Sequence, residues 1–235
     1  MTSSDLCRMP WHSSANEEQE NTKAVRSEIG WSSYMNVKCA FFTAASHAGK
    51  STLQRQFQSR DVAVLDNDCE IMKRTFEILA PGRGYHRHIN PLNYWKHLRD
   101  EFDFDRLYRL HHRDWFHRAG QPAGFVAVGW IYAFEEWRNL ALRAFDQLRN
   151  VTLDCKLFVL DLSHDDFFKR YVSGIKERNG PSHSFFQMTP KKQRQQSDSH
   201  YDQFLNSHLA ESKDFPTCRF SSDQELQNEV LEFLK

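Results

Sequence analysis

The sequence has no net charge: Lys and Arg total 31, and so do Asp and Glu. A globally basic nucleic-acid binder is disfavoured on that count, although a local basic patch stays open. Cysteine is sparse, at positions 7, 39, 69, 155 and 218, and no C-x-x-C occurs. An odd, scattered set argues against a disulfide framework and fits free thiols in a reducing compartment. No apolar run approaches the roughly 20 residues that a spanning helix needs. The opening stretch, MTSSDLCRMPWHSSANEEQENTK, is polar, carries acids early and has no secretory pattern. A cytoplasmic protein with no membrane partner is expected. Internal repeats are also lacking.

What is present is apolar and aromatic. In 235 residues, 40% are hydrophobic and 14% aromatic, with 19 Phe and 6 Trp. That suffices for one sizeable core. Residues 1 to about 35 are rich in Ser, Asn and Glu and are expected to be a flexible extension. The folded domain is expected over 36–235. Buried strands are predicted at 37–43, 62–66, 124–132, 155–163 and 218–222, with helices after each. Leu53 and Phe57 at i, i+4 mark the first helix, and Asp223 is the expected N-cap of the last. Continuous apolar strands alternating with helices predict an α/β fold, a three-layer parallel sheet with helices on both faces.

The first strand runs into a motif. VKCAFFTAASHAGKSTLQRQF, from Val37, nearly matches the phosphate loop G-x-x-x-x-G-K-[ST], with Ala44 in place of the leading glycine. A tight strand-to-helix turn aims successive backbone N–H groups at one point, on the positive end of the helix. Ala45, Ser46, His47, Ala48, Gly49, Lys50, Ser51 and Thr52 would form this cradle for ATP. Lys50 would reach the β- and γ-phosphates, and Ser51 would hold Mg²⁺ through its hydroxyl. Gly49 admits the close approach that a side chain would block. A methyl at Ala44 is tolerable where φ is negative. The strand before and the helix after argue against an accidental G-K-S.

The second strand ends in Asp66-Asn67-Asp68. In an open parallel sheet, ligands gather at the carboxyl ends of strands. Two acids placed there, beside the loop, can divide two tasks: one binds Mg²⁺ and the other accepts the proton of an attacking hydroxyl. D-N-D also suits a plain solvated turn.

At this point the sequence resembles the P-loop small-molecule kinases of the shikimate kinase and gluconate kinase type. LDNDCEIM resembles their D-x-D segment, which implies Asp66 as a metal-binding acid and Asp68 as a catalytic one. AFEEWRNLALRAF resembles the gluconate-kinase-like helix with Y-R-x-x-L-R, whose arginines fall on Arg138 and Arg143. FFKRYVSGIKERNGPSHSFFQMTPKKQRQQ resembles the lid of the same group, with an arginine pair around a glycine; Arg170 and Arg178 are its lid or adenine-side arginines. The resemblance spans about residues 37–205 and implies a helical acceptor-binding insertion at about 69–120 and a lid at about 176–200. Two departures stand out. Ala44 replaces the leading glycine, and the third strand is followed by no acid at a clear Walker-B position.

The middle segment, GRGYHRHINPLNYWKHLRDEFDFDRLYRLHHRDWFHR, is dense in His, Arg and aromatics. At the acceptor position of these kinases, Arg83, Tyr85 and Arg87 would hold an anionic or sugar-like substrate. A basic aromatic surface can equally stack bases. Tyr94, Trp95, Leu98, Leu107, Leu110 and Trp115 read as core positions of a helix pair. His86 and His88 lack the further ligands of a metal site. Residues 179–200 read as a polar, basic loop with Lys176, Arg178, Lys191, Lys192 and Arg194 in and beside it.

The leading expectation is an ATP-dependent kinase acting on a hydroxyl of a small molecule or nucleotide. Its alternatives are a kinase acting on a hydroxyl of nucleic acid, at a DNA end or modified base, and a non-catalytic nucleotide-binding module. The paired acids disfavour the last, since binding alone needs no base. No N-K-x-D occurs to read guanine.

Overall fold

The central strand dictates the rest. In the computed structural model, which describes residues 35–79, 103–146, 148, 150–208 and 215–235, β1 runs Met35–Ala44 and is buried along nearly its whole length. Val37, Cys39, Ala40, Phe41 and Phe42 are at most 1% exposed. A strand apolar on both faces needs cover on both faces, and a parallel sheet supplies it. The strands β2 (Ala63–Asp66), β3 (Gly124–Val128), β4 (Val151–Leu160) and β5 (Thr217–Phe220) complete a five-stranded parallel sheet in the order β2-β3-β1-β4-β5.

This order sets the crevice. From β1 the chain leaves toward β2, skipping the place that β3 later fills. From β3 it crosses back past β1 to β4. The connections depart in opposite directions at the carboxyl end of β1, where open sheets bind ligands.

Helix α1 (Lys50–Gln58) buries Leu53 and Phe57, as their spacing predicts. After β2 comes a π-helical turn, Asn67–Met72, leading into α2 (Lys73–Leu79). Helix α3 (Phe104–Arg118) packs on α4 (Glu135–Phe145), with Trp137 edge-on to Phe104 and Tyr108 at 5.6 and 5.4 Å. Helices α5 (His164–Asn179), α6 (Pro190–Gln203) and α7 (Asp223–Leu234) follow β4 and β5. Among the described residues, no helix is long and apolar enough to cross a membrane.

Four sequence expectations need correction. The strand predicted at 124–132 stops at Val128. Gly129 donates its N–H to Phe42 O, and Trp130–Ala133 turn as a 3₁₀ helix. The basic loop predicted at 179–200 is mostly helical. Thr189 caps α6 by accepting from Lys192 N, with Pro190 at the first helical position; Thr-Pro was the missed start signal. Ser222, not Asp223, caps α7, accepting from Glu225 N, in the S-x-x-E pattern of a capping box. Leu110 is not core but 49% exposed, while Trp115 is buried as expected. The expected N-terminal extension, Tyr94, Trp95 and Leu98 lie outside the described residues.

A buried polar chain underlies the turn after β2. Tyr108 donates its hydroxyl to Asn67 Oδ1 at 2.8 Å. His112 Nδ1 lies 2.8 Å from the Tyr108 carbonyl, and Nε2 lies 3.3 Å from the Tyr132 hydroxyl. A carbonyl only accepts, so Nδ1 carries the proton and the ring is neutral. Burial pushes the His112 pKa down to about 4. The unfolded chain therefore takes up a proton between about pH 6.5 and 4 that the folded chain refuses. Stability should be complete above pH 6.5 and fall by about 3 kcal/mol as the pH drops to 4. Urea unfolding at pH 7.5, 6 and 5 checks this, and His112→Gln should flatten that part of the slope.

Candidate active site

Three backbone features build the loop between β1 and α1. Ala44 is the last residue of β1, paired with Leu160, and does not have positive φ. An alanine fits there without backbone strain. Gly49 has φ 112° and ψ 14°, in the left-handed region. A Cβ at Gly49 would also meet Arg170 Nη1 at 2.8 Å. The positive φ demands glycine here, and a Cβ would also push the Arg170 guanidinium aside. His47 is left-handed too, at φ 70°.

Lys50 folds back over the loop. Its Nζ donates to the carbonyls of Ala44 and Ala45 at 2.8 and 3.0 Å. Burial pushes its pKa down to about 8; the Asp68 carboxylate opposes that, and the Arg178 guanidinium adds to it. At neutral pH the ammonium persists. A parallel sheet of order β2-β3-β1-β4-β5 now carries a glycine-gated loop and its lysine on the central strand. The fold is a five-stranded parallel sheet with a phosphate-loop-like turn leaving its central strand.

No family model and no curated protein matches the sequence. Among solved structures, the chain is similar to shikimate kinase from Bacteroides thetaiotaomicron at 14% identity over 83% of this chain and 94% of that one, with a TM-score of 0.42. It is similar to a gluconokinase from Sinorhizobium meliloti 1021 at 11% identity, over 86% and 93%, with a TM-score of 0.39. The Deinococcus radiodurans tunicamycin resistance protein matches at 9% identity, over 83% and 94%, with a TM-score of 0.48. These superpositions are loose, and the sheet order and the loop stand on the chain's own geometry.

A cavity of about 860 Å³ opens above the loop. Ser46, His47, Gly49, Lys50, Ser51 and Thr52 line its floor, while Ala45 and Ala48 are buried beneath. Asp66, Asp68, Arg170 and Arg178 line it too. The volume is that of a small-molecule site.

The two acids sit differently. Asp66 Oδ1 accepts from Cys69 N at 3.0 Å and caps the π-helical turn, and Oδ2 accepts from Gln54 Nε2 at 3.1 Å. Gln54 stands one turn after Lys50 on α1, so Asp66 is tied to the loop's own helix. Asp68 stands close enough to Lys50 to raise its proton affinity. Glu70, which accepts from Asp66 N, has its carboxyl pushed up by burial.

Arg170 is a clamp. Its Nη1 donates to Ala48 O at 2.8 Å and to both Asp223 oxygens, at 2.9 and 3.1 Å. Asp223 is free for this because Ser222 takes the cap. Asp223, Gln54 and Gly174 were not singled out from sequence as site residues; only the S-x-x-E box at Ser222 hinted that Asp223 had another use.

The structure does not bring Arg138 to the cavity. It is fully buried, with Nη1 donating to the carbonyls of Tyr132 and Ala133 at 2.6 and 3.1 Å and its guanidinium 5.0 Å from the Phe215 ring. Burial pushes it down to about 10, with Glu135 opposing. It holds the 3₁₀ turn after β3 instead of a phosphate. Arg143 is exposed on the same helix. Arg194, from the expected lid, is tied to Asp165 at 2.6 Å and Asp198 at 2.9 Å. Arg83, Tyr85 and Arg87 lie outside the described residues.

Arg138→Ala should therefore destabilise the fold by about 3 kcal/mol, because it strands buried carbonyls and empties a packed volume. Urea titration measures this loss. A variant of unchanged stability would return Arg138 to the list of catalytic candidates.

Proposed function

We propose that the chain is an ATP-dependent kinase transferring the γ-phosphoryl group to a hydroxyl of a small molecule or nucleotide. The observation that carries this reading is the convergence of Lys50, Asp68 and Arg178 over the loop, each within electrostatic reach of the lysine. A lysine and an arginine suit a transferring phosphoryl group, and a carboxylate beside them suits the hydroxyl that attacks it. A purely nucleotide-binding module has no use for that carboxylate.

The loop N–H groups and Lys50 would hold the triphosphate. Residues 45–52 and Arg170 form the ATP side of the cavity, and Asp68 marks the acceptor side. In the transfer, the acceptor oxygen bonds to the γ-phosphorus and the bond from that phosphorus to the β–γ bridging oxygen breaks. The hydroxyl proton passes to Asp68, and ADP leaves with the bridging oxygen. Arg178 would stabilise the charge on the equatorial oxygens.

Mg²⁺, when bound, neutralises charge on the β- and γ-oxygens. Ser51 and Asp66 are the residues that would hold it. Among the described residues, no cluster of three or more His, Cys, Asp or Glu is arranged to hold a metal. This suits an ion that keeps waters and phosphate oxygens and takes one or two protein ligands. Arg83, Tyr85 and Arg87 are proposed to contact the acceptor, within a substrate segment at about 69–120.

Incubation with γ-labelled ATP, Mg²⁺ and pools of hydroxyl metabolites and nucleosides tests the reading directly: the label should move to a hydroxyl. Lys50→Ala should cut that transfer by about 10²- to 10³-fold with the fold intact. Asp68→Asn should lower single-turnover rate by more than tenfold with ATP affinity kept. Asp66→Asn should instead raise the Mg²⁺ requirement with little change in stability, because the Asn Oδ1 still accepts from Cys69 N. If label never leaves ATP in the parent, the protein is a nucleotide-binding module; if Asp68→Asn keeps its rate, Asp68 is not the proton acceptor.

Ala44→Gly addresses the departure from the motif. ATP affinity by calorimetry should stay within about threefold of the parent, under 1 kcal/mol. A hundredfold gain would mean that Ala44 cripples the loop.

A further inference from the structure

His47 occupies a backbone conformation that residues with a β-carbon adopt uncommonly, at φ 70° in the middle of the phosphate loop. Such a conformation persists where the surroundings enforce it, and it gathers at functional sites. The surroundings here are one face of α5. The imidazole lies against Gly174, where a Cβ would sit 2.6 Å from His47 Nδ1 and 3.2 Å from His47 Cβ. The ring also stands edge-on to Tyr171, centroids 5.2 Å apart. No side chain, not even a methyl, fits at 174 while His47 is in place.

Gly174 belongs to a stripe. Arg170, Gly174 and Arg178 follow one another at intervals of four on α5, so they share a face. Each meets the loop or the space above it. Arg170 grips Ala48 O and covers Gly49, Gly174 receives His47, and Arg178 reaches the field of Lys50. Arg170 fixes one end of this face to the loop. The buried Phe167, Tyr171 and Ile175 hold the helix to the core; toward the loop, Arg170 is one attachment. The seated imidazole is the second attachment, one turn nearer Arg178.

We propose that His47 is a positioning residue: seated on Gly174, it sets the register of α5 on the phosphate loop and so holds Arg178 over the place of the γ-phosphate. The proposal rests on the kinase reading above. It assigns His47 a task apart from touching phosphate through its backbone, and it makes Gly174 part of the same device.

The test is the preference for ATP over ADP, since only ATP carries the group Arg178 would face. Dissociation constants for both nucleotides with Mg²⁺ are measured by calorimetry for the parent, Arg178→Gln, Gly174→Ala, His47→Gly and the double variant His47→Gly with Gly174→Ala. Arg178 is exposed, so its glutamine variant is a benchmark free of folding effects. Glycine adopts φ 70° without strain, so His47→Gly removes the side chain and keeps the loop. Arg178→Gln and Gly174→Ala should each reduce the ATP preference about tenfold, with ADP affinity within about threefold of the parent. His47→Gly should reduce the preference about threefold. The double variant should be no worse than His47→Gly alone, because the methyl at 174 then meets empty space. The proposal is overturned if Gly174→Ala or Arg178→Gln keeps the parent's preference within twofold, or if the two losses simply multiply in the double variant, and in those cases the kinase reading still stands. Should Gly174→Ala fail to fold, the double variant must fold and match His47→Gly; if it does not, the clash with His47 is not the reason and the proposal fails. A parent that binds neither nucleotide removes the kinase reading and this inference together.

Discussion

A glycine at φ 112° beneath the Arg170 guanidinium is the constraint on which the site depends. The left-handed turn at Gly49 is what lets β1 pass into α1 with amides facing the cavity. With no side chain at this position, nothing crowds Arg170 where it lies over it. From there Arg170 reaches Ala48 O and Asp223, so the loop is held from α5 and α7 as well as from its own strand and helix. The sheet order places this knot at the one carboxyl end where the crossovers diverge.

Electrostatics then sort the charged groups by role. Arg170 and Asp223 neutralise one another at a distance from the acids. Lys50 has no carboxylate hydrogen-bonded to it; it is held by the carbonyls of Ala44 and Ala45. Burial costs it proton affinity, and its pKa of about 8 leaves it charged at neutral pH but under-compensated. In the proposed reaction, the triphosphate would supply the missing negative charge. Asp66 and Asp68, though two residues apart, differ in the same way: Asp66 spends both oxygens on Cys69 N and Gln54, whereas Asp68 faces the lysine.

Much of the sheet and the whole phosphate loop were legible because they are local. The five strands are legible in order, since buried parallel strands are short apolar runs; their ends are less so, because Trp130, Ile131 and Tyr132 are as apolar as the strand before them. The loop was readable because G-K-S lies between such a run and a helix. The charged residues beyond it were harder, because charge does not reveal burial. Arg138 and Arg178 look alike in sequence; the first is sealed under Tyr132 and Phe215, the second lines the cavity. Thr189-Pro190 and the Ser222–Glu225 box were signals present but outweighed by the surrounding polarity of the lid and by Asp223 itself. Gly174 carried no local signal, for its role is set by His47, far away in sequence.

The grip of Arg170 on Ala48 O and Asp223 joins an early segment of the chain to a late one. During synthesis, β1 and the loop emerge well before α5, and α5 before α7. A nascent chain can pair β1 with β3 and even dock α5, yet the arginine over Gly49 lacks its counterion until Asp223 has left the ribosome. The clamp over the loop is thus complete only when both segments have been made and packed together.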